Sequence, residues 1–338
     1  MSCLRRGCGR SRRVSEGERK EIAEGLASVA RALTSSRRIL LTSHKGPDGD
    51  SVGAALALVH WGERTGRIVR YVNEDAVPET LSFLPGFALL SRPPEFASFD
   101  LGVILDCSAP ERVGAAWNLV RGLPRIVVDH HEGIGSAATI ARWLDPSAAS
   151  VTVMVGELLE YMKEPLDRDI AYALYTGLVT DTMSFQQANS DARCHRRAAR
   201  LLEEGVSPFE VTMNLFENQR HAAVRLCGRA MERSKLRHEV CFSELYRRDF
   251  EELGARESDT EGIIRTLRGV AGIRVAVLLR ETVDGKVKVT FRSKDDTDVA
   301  AVAAEFGGGG HKAAAGCTLE CDIEEARKRI LARLGVRK

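Results

Sequence analysis

Three short apolar runs stop at residues that bind metal ions or move protons. They are Ile39-Leu40-Leu41-Thr42-Ser43-His44-Lys45-Gly46-Pro47-Asp48-Gly49-Asp50, Val103-Ile104-Leu105-Asp106 and Val127-Val128-Asp129-His130-His131. A fourth acid, Asp181, follows the apolar stretch 170–179. Together His44, Asp48, Asp50, Asp106, His130 and Asp181 offer four carboxylates and two imidazoles. Carboxylates crowded into one small pocket repel, and some must protonate unless cations offset the charge. Mixed carboxylate and imidazole ligands suit manganese, iron or zinc better than calcium, and the lack of thiolates argues against a structural zinc. The ligand count fits two ions about 3.5 to 4 Å apart sharing one carboxylate, a pair able to hold both the attacking and the leaving oxygen of an in-line displacement. Gly49 is expected to let the chain bend so that Asp48 and Asp50 face neighbouring ions. Ser51-Val52-Gly53 is expected to open a helix whose first amides favour an anion.

Each residue has a blander reading on its own: Asp106 as a helix N-cap, Asp48 or Asp50 as a turn residue, His130 or His131 as a packed or surface histidine. What outweighs these readings is that three separate strand-end turns supply the same ligand chemistry. A second constellation lies near the C-terminus. In Phe306-Gly307-Gly308-Gly309-Gly310-His311-Lys312-Ala313-Ala314-Ala315-Gly316 a flexible glycine run presents unencumbered amides, which with His311 and Lys312 can wrap a phosphate. Arg292, in Arg292-Ser293-Lys294, can bring a guanidinium fork to the same anion. A glycine run by itself is as readily a linker.

The elements that must position these residues follow from periodicity. Apolar residues recur at helical spacing over 18–33, and 38–42 reads as a buried strand. Helix 51–64, strands 68–72 and 101–105, helix 110–120 and strand 126–128 follow. This alternation predicts an α/β fold whose first domain is a doubly wound, mostly parallel sheet with helices on both faces. Ligands of such sheets bind beyond the carboxyl ends of the strands, where the acidic turns would meet. Helices at 149–161, 167–179, 192–203 and 208–216 complete this domain or leave it. Beyond about Val240 the pattern restarts with strand 240–245, helices 248–253 and 260–270, and strands 274–279 and 286–291 joined at Asp284-Gly285. The expected division is a disordered basic arm over 1–20, a first domain over 21–210, a helical linker over 211–239 and a smaller α/β domain over 240–338.

At 338 residues two cores are expected, because a single core stops growing at roughly 250 to 300. The 44% hydrophobic and 28% charged fractions are those of a globular protein, and no run nears the roughly 20 apolar residues that span a bilayer, so no membrane partner is expected. A net charge of +2 says little about partners, because an acidic pocket and a basic groove cancel in the sum. Arg5, Arg6, Arg10, Arg12, Arg13, Arg19 and Lys20 crowd the N-terminus without the apolar core of a secretory signal. The eight cysteines form no C-x-x-C pair and read as reduced thiols of a cytoplasmic protein, Cys317 and Cys321 among them as small core residues rather than zinc ligands.

With these motifs the chain resembles the DHH phosphoesterases, named for the triplet present here as Asp129-His130-His131. More narrowly it is similar to the branch that degrades very short oligoribonucleotides and dephosphorylates adenosine 3',5'-bisphosphate. The resemblance covers almost the whole chain after about residue 20, through His44-x-x-x-Asp48-x-Asp50, Asp106, the triplet, Asp181, Arg292-Ser293 and Gly308-Gly309-Gly310-His311. It implies two divalent cations, manganese being the expected metal, with His44 and Asp48 on the first, Asp50, His130 and Asp181 on the second, and Asp106 on both. It further implies that His131 lies against the scissile phosphate and that Asp129 orients the histidines. Arg292, Ser293, Gly308, Gly309, Gly310 and His311 would grip a substrate phosphate in a cleft between the two domains. The implied substrates are short RNA, linear pGpG included, and bisphosphate nucleotides; homodimers are common in the family. Met183 departs from the pattern, since glycine often follows the Asp-Thr pair, and Gln186-Gln187 beside it bears on substrate preference.

Other readings differ by recognisable features. A RecJ-like exonuclease on single-stranded DNA is usually longer and adds an oligonucleotide-binding barrel, whereas aromatics here are only 6%. A cyclic-dinucleotide phosphodiesterase would carry membrane and sensor segments. An inorganic pyrophosphatase or polyphosphatase would lack the glycine-histidine motif. A retired nucleotide-binding module would have lost some of the six ligands.

Overall fold

The apolar runs that end at the acidic turns are neighbouring strands of one sheet. They are β1 (Arg38–Thr42), β2 (Ile68–Tyr71), β3 (Leu101–Leu105), β4 (Arg125–Asp129) and β5 (Ala141–Leu144), in the order β2-β1-β3-β4-β5. Every pairing is parallel. The computed structural model describes residues 15–93, 98–131, 133, 135–260 and 262–336. The chain divides into two units, Met1–Glu217 and Asn218–Lys338, each with its own sheet and core.

In the first unit the central strands β3 and β4 are buried along their whole length, as a parallel sheet covered on both faces requires. Alternate residues enter two different cores. Ile39, Leu41, Val103, Leu105, Ile126 and Val128 join the large cluster under α1 (Glu16–Ser35), α2 (Gly49–Thr65), α5 (Val151–Tyr161) and α6 (Arg168–Asp181). Leu40, Ile104 and Val127 join the smaller one under α3 (Pro110–Val113) and α4 (Trp117–Val120). The doubly wound reading is thus borne out, and the sheet is wholly parallel. β5 was not legible from the sequence, being a four-residue edge strand with an exposed Arg142. α7 (Ala192–Glu203) and α8 (Pro208–Thr212) complete the unit.

α1 begins with a capping box between Ser15 and Glu18, so residues 16–20, Arg19 and Lys20 included, are helix rather than part of a disordered arm. Arg5, Arg6, Arg10, Arg12 and Arg13 lie outside the described residues. The segment read as a helical linker, 211–239, is divided between the two units.

The second unit holds β6 (Lys235–Arg237), β7 (Val240–Leu245), β8 (Val275–Glu281), β9 (Val287–Ser293), β10 (Gly309–His311) and β11 (Ala314–Leu319), ordered β10-β11-β9-β8-β7-β6. Only β7 and β8 pair parallel, and α10 (Arg247–Leu253) and α11 (Ile263–Arg268) make the crossover between them. α9 (His221–Glu232) and α11 lie over the core that contains Ala276 and Leu278. α12 (Val299–Ala304) and α13 (Ile323–Arg333) lie over the opposite core, which contains Val289 and Phe291. Cys317 is buried in that second core and Cys321 packs against it, as expected.

The glycine run is not the flexible segment read from the sequence. Gly309 and Gly310 form edge strand β10, paired antiparallel with Ala315 and Gly316 of β11. A Cβ at Gly308 would stand 2.2 Å from the Gly316 carbonyl oxygen, and Gly310 has φ +142° with a Cβ position 2.4 Å from the Ala314 oxygen. Glycine is needed there for close backbone approach.

Candidate metal centre

Strand order reverses between β1 and β3, and at such a switch point the loops beyond neighbouring strands diverge and open a crevice. His44, two residues beyond β1, and Asp106, directly after β3, meet there, with the His44 Nε2 3.2 Å from Asp106 Oδ2. From β4 come His130, its Nε2 3.3 Å from Asp106 Oδ1, and His131, its Nδ1 3.4 Å from the same oxygen. The Asp106 amide still donates to Val128, prolonging the β3–β4 ladder, before the backbone turns left-handed at φ 59°. That conformation costs a non-glycine residue roughly 1 kcal/mol or more and serves to point the carboxylate out of the sheet plane.

All six sequence-predicted ligands are brought together. Ligand atoms of His44, Asp48 and Asp106 lie within 4.8 Å of one another, as do those of Asp50, His130 and Asp181, and those of Asp106, His130 and His131. Asp48 is the N-cap of α2, its Oδ1 accepting from the amides of Asp50 and Ser51 at 3.1 and 3.0 Å. Those two amides are therefore not offered to an outside anion, contrary to the expectation for this helix start. Asp50 is 1% exposed and accepts from the Val151 amide at 2.7 Å, the Thr152 amide at 2.9 Å and the Thr152 hydroxyl at 2.7 Å. It thereby ties the N-terminus of α5 to the centre.

Gly49 does something other than bend the turn. Its φ is not positive, and a Cβ there would stand 2.5 Å from the Thr180 side chain. Gly53 and Gly177 likewise face Ala173 and the backbone of residues 49–50. Close approach of α2 and α6 is what carries Asp181, the last residue of α6, to the Asp50 side of the centre. After it Met183, Ser184 and Phe185 all have positive φ, 48°, 57° and 63°. This gives the physical reason a glycine would suit position 183, and it shows that Met183 accepts the left-handed turn without displacing Asp181.

The donor chemistry fits cations. His44 Nδ1 donates to the Lys45 carbonyl at 2.8 Å, and His130 Nδ1 faces the Ala148 carbonyl at 3.3 Å, so in both rings Nε2 is turned toward the carboxylates. Asp106 Oδ1 is buried and accepts no well-formed hydrogen bond among the described residues. Ionisation is correspondingly distorted. Burial, then the charges of Asp106 and Asp181, pushes Asp50 well above the carboxylate range. Burial, followed by the nearby carboxylates, raises Asp181 to about 6. Burial would lower His130, but Asp106, Asp50 and Asp181 overcome it and raise the ring to about 10. Burial would raise Asp106, yet the imidazoles of His130 and His44 facing its two oxygens hold it far below the usual range. Cations bound among these groups would relieve the same repulsion that raises Asp50 and Asp181.

Asp129 is 1% exposed, and its Oδ1 accepts from both the amide and the Nδ1 of His131, at 3.0 and 2.7 Å. Three supporting residues escaped the sequence reading. Asn73 Nδ2 lies 2.9 Å from the His44 carbonyl, 3.0 Å from Ser43 Oγ and 3.1 Å from the Tyr71 hydroxyl. Asn189 Nδ2 donates to the Ala149 carbonyl at 2.8 Å and lies 3.4 Å from Asp181 Oδ2. Thr152 holds Asp50, as described. The one available signal was that β2, like the other strands, ends near a polar residue, Asn73.

Within the second unit, Arg292 is half-buried near the end of β9, and its neighbour Ser293 is turned inward, its hydroxyl donating to Asp295 at 3.0 Å. Ser293 does not present that hydroxyl to a ligand. Gly309 and Gly310 lie in edge strand β10 of the same sheet, while the Gly308 amide donates to the Ala303 carbonyl at 2.9 Å and, contrary to the expectation, is not offered to a phosphate; the His311 side chain lies outside what is described.

Comparison with known proteins accords with this geometry. The chain is 32% identical over 298 residues to the bifunctional oligoribonuclease and PAP phosphatase NrnA of Thermus thermophilus, covering 87% of this chain and 88% of that one. It is 27% identical to the NrnA of Bacillus subtilis, covering 86% and 92%. Its fold is that of an exopolyphosphatase-related protein from Bacteroides fragilis, with a TM-score of 0.88 at 24% identity over 93% of this chain and 96% of that one. The DHH family N-terminal domain matches residues 38–178 and the DHHA1 domain residues 239–335, and the chain therefore belongs to the DHH family of hydrolases.

Proposed function

We propose that the chain hydrolyses the phosphate esters of very short oligoribonucleotides, pGpG among them, to mononucleotides, and removes the 3'-phosphate of adenosine 3',5'-bisphosphate. The observation that carries this reading is Asp106, one buried carboxylate whose two oxygens face two different ligand groups, Oδ2 toward His44 and Oδ1 toward His130. His44 and Asp48 would hold one divalent cation, Asp50, His130 and Asp181 the other, and Asp106 both, with manganese the metal proposed for this mixed nitrogen and oxygen set. Such ions, when bound, lower the pKa of water and offset the charge gathering on a phosphoryl group.

The chain's own side chains orient and protonate. The Asp129 carboxylate can only accept, so the hydrogen of His131 resides on Nδ1, and the Nε2 edge is assigned to the scissile phosphate. Arg292 and the amides of Gly309 and Gly310, with His311, are assigned to a second phosphate of the substrate, while Ser293 braces the turn after Arg292 and the Gly308 amide, given to the Ala303 carbonyl, takes no part. The two NrnA relatives, named for oligoribonuclease and PAP phosphatase activities, support this choice of substrate.

Incubation with end-labelled dinucleotide, and separately with the bisphosphate, in manganese buffer should release mononucleotide and AMP. Asp106→Ala and His130→Ala should each lower kcat by about 10³-fold or more, the scale of losing a group that organises a reacting centre. Undiminished turnover in both variants would overturn the mechanism.

A further inference from the structure

The phosphate seat assigned to Arg292 has a second guanidinium that no sequence motif marks. Arg292 stands opposite Ala276 of β8 and Ala314 of β11, residues too small to cover its side chain. Its neighbours Phe291 and Val289 enter the core under α12 and α13, so by strand alternation Arg292 is on the other face, the one overlaid by Ile263, Ile264 and Leu267 of α11. The last residue of α11 is Arg268. Its Nε is buried and has no hydrogen-bond partner. Arg292 Nη1 donates at 2.9 Å to the carbonyl of its own neighbour, Phe291. Burial, and after it the positive charge of Arg268, holds the Arg292 guanidinium below its ordinary range.

Neither arginine enters an ion pair among the described residues, whereas other arginines of this unit do. Arg229 meets Asp249 at 2.8 Å, Arg327 meets Glu244 at 2.8 Å and Arg280 meets Glu257 at 3.2 Å. Two neighbouring, partly desolvated cations with no carboxylate between them are unfavourable until an anion joins them. Their combined charge also selects the anion. A terminal phosphate monoester carries about −1.5 to −2 at neutral pH, whereas an internal diester carries one charge, so two guanidinium forks match the monoester.

We propose that Arg268 and Arg292 form a two-arginine seat for a terminal phosphate monoester, and that the chain thereby prefers dinucleotides ending in a 5'-phosphate to those ending in a hydroxyl. The substrate preference rests on the reading given under Proposed function; the seat itself does not. Titration of inorganic phosphate into the metal-free full-length chain by calorimetry tests the seat directly. The wild type is expected to bind, and Arg268→Gln and Arg292→Gln each to weaken binding about 10-fold or more, the scale of one charge-assisted fork. Arg268→Lys, which keeps the charge, is expected to recover part of that affinity. Equal affinity in wild type and Arg268→Gln, or equal loss in Arg268→Gln and Arg268→Lys, makes Arg268 a packing residue and overturns the proposal.

In the kinetic arm, the ratio of kcat/KM for 5'-phosphorylated over unphosphorylated dinucleotide is expected to exceed about 10 in the wild type and to fall toward one in Arg268→Gln, through KM rather than kcat. A ratio that Arg268→Gln leaves unaltered overturns the preference. A wild type that cleaves neither dinucleotide overturns the assigned activity instead, and the phosphate titration still decides the seat.

Discussion

Asp50 performs two tasks with one carboxylate: it receives the first amides of α5 and it borders the cation centre. It can do both because a carboxylate offers about four lone-pair sites and the three helix donors leave one side open. The same crowding makes the metal-free centre sensitive to pH. His130 titrates at about 10 in the folded chain against an ordinary 6.5, so its contribution to stability is complete below pH 6.5 and is lost as pH rises through 10. Asp181 titrates at about 6 against 3.8, so the folded chain again binds the proton more tightly and stability declines as pH rises from 3.8 through 6. Asp106, held low, acts oppositely, and its contribution is lost only in acid. The unfolding temperature of the metal-free first unit should accordingly fall between pH 5 and pH 9. Cations and these protons exclude one another, so manganese uptake at pH 7 should release at least about one proton, chiefly from His130. Calorimetry in buffers of different ionisation enthalpy measures this, and uptake without proton release would mean that other atoms hold the metal.

At the level of elements, the centre depends on how near two helices come. Asp48 and Asp50 are at the start of α2 and Asp181 at the end of α6, and glycines at 49, 53 and 177 let these helices meet backbone to backbone. Gly53→Ala would place a methyl group 2.4 Å from the Ala173 carbonyl oxygen, closer than any real contact. The helices must part, at a cost of roughly 1 to 3 kcal/mol for overpacking, and manganese affinity should fall because ligands on α2 and α6 separate. Gly228→Ala is the contrasting change: this α9 glycine has nothing within 4 Å of its Cβ position and should be stabilised by roughly 0.5 to 1 kcal/mol through the better helix former. Urea unfolding of both variants, with manganese titration of the first, distinguishes packing from helix propensity. The sequence showed these glycines, but assigning Gly49 to a bend was natural only because its partner, Thr180, is so distant along the chain. Gly308 and Gly310 misled for the same reason: glycine has low strand propensity, and β10 exists because β11 pairs with it.

For the molecule as a whole, the two units keep separate hydrophobic cores, and all six metal-site candidates belong to the first. Manganese should then stabilise that unit alone, by roughly 2.7 kcal/mol for each site at a concentration of 100 times the dissociation constant. In calorimetric scans with manganese and with chelator, one unfolding transition should move while the one belonging to residues 218–338 stays; equal displacement of both would contradict the assignment of every ligand to the first unit. The α/β class, the alternation of strands and helices and the identity of the ligands were legible in the sequence, because each is written in contiguous residues: an apolar run, then a turn bearing His44, Asp106 or His130. Family membership was legible for the same reason. Only the tertiary structure decided that Asp106 divides its oxygens between two ligand groups, that Asn73 and Asn189 brace the centre, that Ser293 turns inward, and that the end of α11 bearing Arg268 lies over the sheet face that carries Arg292. Those outcomes are contacts between residues far apart in sequence. They follow from strand order and helix approach, which no local pattern of hydrophobic and polar residues encodes.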